Sequence, residues 1–129
     1  MARVHFILYV QDQEASVRFY RAVLERAPSL DVPGMTESAL GDAVLGLMPE
    51  AGIRRLLGDA LPDPALAHRV PRAEVYLVVD DPAQHRRALA AGARELSPLI
   101  PHDWGHEAAY ALDLDGHVLA FARALGDRG

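Results

Sequence analysis

Residues 3–12 read RVHFILYVQD and residues 72–81 read RAEVYLVVDD. The two stretches align without a gap: Arg3 over Arg72, His5 over Glu74, Leu8 over Leu77, Val10 over Val79 and Asp12 over Asp81. Each is a run of strand formers with one ionisable side chain near its start and an aspartate at its end, a residue type that caps helices by accepting from free first-turn N–H groups. A helical pattern follows each copy. After Asp12, residues Ser16, Phe19, Tyr20 and Val23 recur at helical spacing as a core face, and Pro28 forbids continuation. After Asp81, Pro82 falls at the first helical position, Gln84 where a capping box closes, and Gly92 at the left-handed stop.

Strand-like pieces come next in both halves. The first half has MTESAL (35–40), a Gly41-Asp42 turn and AVLGLM (43–48); the second has HEAAYAL (106–112), a DLDG turn (113–116) and HVLAFA (117–122). VLGLM (44–48) matches VLAFA (118–122) in pattern, and a Pro- and Gly-bearing connector at 49–71 carries IRRLL, which reads as a short helix. The chain therefore reads as one 129-residue α+β domain of two tandem β-α-β-β-β units, module 1 about 3–48 and module 2 about 72–123.

Composition narrows the class. Half the residues are apolar and 24% are charged, as in a globular protein, and the formal charge of −5 comes with scattered basic residues. No basic face is available to neutralise phosphates, so nucleic acid is not an expected partner. With no cysteine, disulfides, thiolate zinc sites and a cysteine nucleophile are excluded. No stretch approaches the ~20 apolar residues of a membrane helix and the N-terminus lacks a signal-peptide layout, so a cytoplasmic, membrane-free protein is expected.

The double β-α-β-β-β pattern, the opener HFILYVQDQEASVRFYRAVL and the late LDLDGHVLAFA resemble the vicinal oxygen chelate superfamily, which includes glyoxalase I, extradiol dioxygenases, fosfomycin-modifying enzymes and bleomycin-sequestering proteins. Leu114 replaces the proline usual in the family's DPDG turn, while Asp115 is intact. The resemblance covers residues 3–124 and implies two modules whose sheets curve into an open half-barrel with helices on the outer face. It also implies a homodimer, with modules paired within a chain or exchanged between chains. In metal-dependent members, the four ligand positions carry over to His5, Gly46, Glu74 and Ala120. His5 and Glu74 are able ligands; Gly46 and Ala120 carry no donor atom. Chelate chemistry needs several N/O ligands around a divalent ion with open positions for substrate oxygens, so a full metal centre is not expected.

If His5 faces the cleft, strand alternation turns Ile7 and Tyr9 inward with it, and Glu74, Tyr76 and Val78 likewise. Phe6, Leu8 and Val10 are then expected to pack on helices. Val44, Gly46 and Met48 line one further strand and Val118, Ala120 and Ala122 another, with vacant volume expected at Gly46 and Ala120. The ligand-binding candidates are Tyr9, Tyr76, Ile7, Met48 and Trp104, the last on a loop rim; the catalytic candidates are Glu74 and His5. Both also admit a plain structural role, hydrogen-bonding each other. His102 and His106 read as solvated loop histidines, and Thr36-Glu37 as solvent-facing.

Such an apolar pocket suits a small organic molecule. The expected function is either sequestering it or metal-independent proton transfer on an enolisable carbonyl substrate, an isomerase or lyase type. There Glu74 is the base and Tyr9 or Tyr76 a donor to the developing oxyanion. The alternative is a divalent-metal-dependent lyase of the glyoxalase I kind, with His5 and Glu74 among substituted ligands.

Overall fold

The computed structural model describes residues 3–81 and 83–126. The chain forms two compact units, one up to Arg69 and one from Val70. In the first, β1 (Val4–Val10) leads into α1 (Gln13–Leu24), followed by β2 (Leu30–Val32), β3 (Met35–Leu40), β4 (Ala43–Pro49) and α2 (Glu50–Leu57). Two 3-10 turns, Gly58–Ala60 and Pro64–Ala67, complete it. In the second, β5 (Glu74–Val78) and α3 (Gln84–Ala90) precede β6 (Arg94–Pro101), β7 (His106–Leu112) and β8 (Val118–Ala124).

Both units repeat one topology. The sheets run β1-β4-β3-β2 and β5-β8-β7-β6, with β1 parallel to β4 and β5 parallel to β8, and the other pairs antiparallel. Each is an open, four-stranded mixed sheet, so the fold is α+β with tandem βαβββ units.

Local sequence explains the first helix. Asp12 is its N-cap, accepting from Ala15 N at 3.1 Å. Ser16, Phe19, Tyr20 and Val23 form its buried face, with the Phe19 and Tyr20 rings edge-on at 4.9 Å. The helix ends at Leu24, ahead of Pro28, where Glu25 adopts the left-handed conformation with φ 51°. In the second unit Asp81 accepts from Ala83 N at 2.9 Å, but α3 starts at Gln84 with Ala83 as its cap residue. The expected capping box is not made: Gln84 Oε1 is buried without a hydrogen-bond partner among the described residues. Pro82 lies outside the described residues. Gly92, with φ 116°, follows the end of α3 as expected.

One core lies under α1, where Val10, Leu45, Leu47, Phe19 and Val23 are buried. The other lies under α3, where Ala88 packs with Ala109, Ala111, Leu119 and Phe121, all fully buried. Phe6 departs from expectation: it is 62% exposed. Helix α1 packs on β4 and β3, so the leading residues of edge strand β1 lack its cover.

Candidate functional site

In the first unit, register puts His5, Ile7 and Tyr9 on one sheet face with Val44, Gly46 and Met48, because paired residues share a face. His5 sits at the exposed edge and its partner is within its own unit: Nδ1 lies 3.5 Å from Glu37 Oε2. Glu37, read from sequence as solvent-facing, pairs with Gly46 and so lies on the His5 face, one rung away. Its neighbour Thr36 is buried, with Oγ1 donating to Asp31 Oδ1 at 2.9 Å and accepting from Gln13 Nε2 at 2.8 Å.

The vacancy expected at Gly46 is filled. A Cβ there would meet Ile7 Cγ1 at 3.0 Å and Met35 Sδ at 3.4 Å. Ile7, 42% exposed, thus stands in the volume where a ligand side chain would begin. Tyr9 and Met48 are half-buried further along the same face.

The second unit concentrates the chemistry. Glu74, Tyr76 and Val78 of β5 pair with Val118, Ala120 and Ala122 of β8, which pair in turn with Leu112, Tyr110 and Ala108 of β7. All share a face, and fully buried Ala120 lies between Tyr76 and Tyr110. Its small side chain leaves room over which two tyrosines can lean.

The Tyr76 hydroxyl is occupied twice. It accepts from Trp104 Nε1 at 2.9 Å and lies 2.6 Å from His106 Nδ1. With the His106 proton on Nε2, Tyr76 donates to Nδ1, and its one hydrogen is spent. The Tyr76 and His106 rings also stack at 5.7 Å. Trp104 stacks on His102 at 4.5 Å with the planes 13° apart, and His102 meets Tyr110 edge-on at 5.9 Å. His102 Nε2 is buried with no hydrogen-bond partner among the described residues.

These contacts correct the reading of His102 and His106 as solvated. His106 opens strand β7, and the tight turn of residues 102–105 folds the loop back over the sheet. His102 N donates to His106 O at 2.8 Å, and Gly105 reaches the φ of 90° that this reversal needs. The His-x-Trp-x-x-x-x-x-Tyr spacing of His102, Trp104 and Tyr110 was visible in sequence, but the hairpin that brings the three rings together was not.

Burial pushes the Tyr110 hydroxyl above its usual range, and the charges of Glu74 and then Tyr76 act in the same direction. Glu74 itself is exposed at the start of β5.

The residues present do not fit the four-ligand centre of metal-dependent vicinal oxygen chelate proteins. Gly46 and Ala120 offer no donor, Ile7 and Met35 crowd the first position, and two tyrosines flank the second. Within the described residues no three His, Asp or Glu side chains gather as a metal site. No helix among them is long and apolar enough to cross a membrane.

Comparison with known proteins agrees with this fold. No curated protein matches the chain. Among solved structures, a glyoxalase-related enzyme from Fulvimarina pelagi is 24% identical with a TM-score of 0.78, covering 98% of this chain and 93% of that one. A glyoxalase/bleomycin resistance protein/dioxygenase family enzyme from Burkholderia phytofirmans PsJN is 18% identical with a TM-score of 0.78, covering 97% and 100%. A glyoxalase/bleomycin resistance protein from Albidiferax ferrireducens T118 is 17% identical with a TM-score of 0.69, covering 94% and 97%. At these identities the likeness is one of fold. The family profile matches residues 3–121, nearly the whole chain, and with the repeated βαβββ topology it follows that the protein belongs to the glyoxalase/bleomycin resistance protein/dioxygenase superfamily.

Proposed function

We propose that this protein binds a small organic molecule against the aromatic face of its second unit, without the superfamily's full metal centre, and sequesters it. The observation that carries this reading is the cluster of Tyr76, Trp104, His102, His106 and Tyr110 on one face around Ala120. Aromatic side chains fixed by mutual hydrogen bonds and stacking lose little freedom when a ligand arrives, which favours binding. Trp104 remains 53% exposed, so its indole still offers surface for contact. Tyr9, Ile7 and Met48 make up the corresponding surface of the first unit.

A second reading, metal-independent proton transfer, draws on Glu74, which shares the face with Tyr76 and whose charge acts on Tyr110. Glu74 is its base; His5, the other catalytic candidate, has Nδ1 3.5 Å from Glu37 Oε2. The protein is proposed to act as a homodimer, in keeping with exposed apolar side chains such as Val4 and Phe6 on edge strand β1.

Native mass spectrometry of protein purified without chelators, combined with elemental analysis, tests these points together. The expected result is a dimer mass carrying an organic adduct, lost in Trp104→Ala, with no stoichiometric metal. Stoichiometric Ni, Zn, Mn or Fe would instead favour a metal-dependent lyase built on His5 and Glu74. Conversion of the adduct by the native protein, abolished in Glu74→Gln with binding retained, would favour proton transfer over sequestration.

A further inference from the structure

Two hydroxyls stand across Ala120 from each other, and they are not equivalent. Tyr76 already holds Trp104 and His106, at 2.9 and 2.6 Å. Tyr110 has no hydrogen-bond partner among the described residues; its only ring contact is the edge-on one with His102. The residue is half-buried, burial acts on its hydroxyl, and no protein acceptor is in place. A phenol in that position donates to whatever oxygen comes to lie on the face.

The charge around it limits that oxygen's chemistry. Glu74 stands on the same face, on the rung next to Tyr110 and two strands away, a span of about 12 Å between backbones that the long Tyr110 side chain shortens. The nearest positive side chain placed on this face by register is Arg94 of β6, which pairs with Leu112, one strand from Tyr110. The charge of Glu74 nonetheless acts on the Tyr110 hydroxyl, adding to burial in raising its pKa, so a ligand carboxylate placed there would be repelled by it. A neutral oxygen would not.

We propose that Tyr110 is the hydrogen-bonding anchor of this face and that the ligand it selects is a flat aromatic molecule bearing a neutral carbonyl oxygen, its ring set against Trp104. The inference rests on the binding reading above and adds to it a residue and a ligand class. It also moves the donor role from Tyr76, the strand residue that sequence alternation favours, to a residue of β7 that it passes over.

Proton NMR titration with three probes of matched shape tests it: acetophenone, ethylbenzene and benzoate. The native protein is expected to bind acetophenone about tenfold more tightly than ethylbenzene, the worth of one partly buried hydrogen bond. It should bind benzoate more weakly than acetophenone. In Tyr110→Phe the preference for the ketone over ethylbenzene should fall to near unity, with the dispersed amide spectrum of the native protein showing that the variant is folded. In Glu74→Gln the deficit of benzoate should shrink. A ketone preference that survives in Tyr110→Phe, or benzoate binding as tightly as acetophenone to the native protein, overturns the proposal. Equal binding of acetophenone and ethylbenzene by the native protein removes the anchor but leaves the aromatic face as a site. Binding of neither removes both.

Discussion

At Gly46 the loss of a metal position and the packing of the sheet are one event. The parallel pairing of β1 with β4 sets Ile7 directly beside Gly46, and a methyl group added there would stand 3.0 Å from Ile7 Cγ1. Gly46→Ala is therefore expected to destabilise the first unit by about 1–3 kcal/mol through overpacking, read as a lower urea midpoint at unchanged slope. Ile7→Ala combined with it should recover part of that loss, since the two residues contend for the same volume. A glycine without a donor atom is plain in the sequence. That its space is taken, and by which neighbour, depends on strand register. The same holds at Ala120, whose flanking tyrosines come from residues 34 positions apart (76 and 110).

At the scale of elements, α1 is tied to the sheet by a residue that the capping pattern did not mark. Gln13 donates from Nε2 to Val32 O at 2.9 Å and Thr36 Oγ1 at 2.8 Å, and its Oε1 accepts from Gly34 N at 2.9 Å. One amide thus closes the β2–β3 turn onto the start of the helix. Gln13→Ala should cost about 1–2 kcal/mol by equilibrium denaturation, and local hydrogen exchange should quicken around residues 32–36. Helices and buried strands were legible because their apolar periodicity is strong. The edge strands β2 and β6 were not: β2 has three residues, and β6 (RELSPLIP) contains two prolines, register shifts on either side of Ser97 and exposure along almost its whole length. A strand that buries neither face leaves no alternation to read.

The whole molecule adds a dependence on pH. His85 is buried on α3 against Phe121, its ring centroid 6.1 Å away, and its Nε2 lacks a partner among the described residues. Burial lowers its pKa from 6.5, opposed by the charge of Glu95 and reinforced by that of Arg86. The folded state therefore holds His85 neutral while the unfolded chain takes up a proton first, so its contribution to stability is full above 6.5 and shrinks as pH falls through the interval below that value, down to the folded pKa. Denaturation followed at successive pH values should show a steeper loss in the native protein than in His85→Leu; identical slopes would place the sensitivity elsewhere. What the sequence determined alone was the duplication, the α+β class and the absence of two donor atoms, because periodicity, caps and residue identity are local properties. What only the tertiary structure decided was partnership: Ile7 with Gly46, His5 with Glu37, and Tyr76 with Trp104 and His106. Those pairs join residues far apart in the chain, through strand register and a hairpin turn that no stretch of sequence specifies by itself.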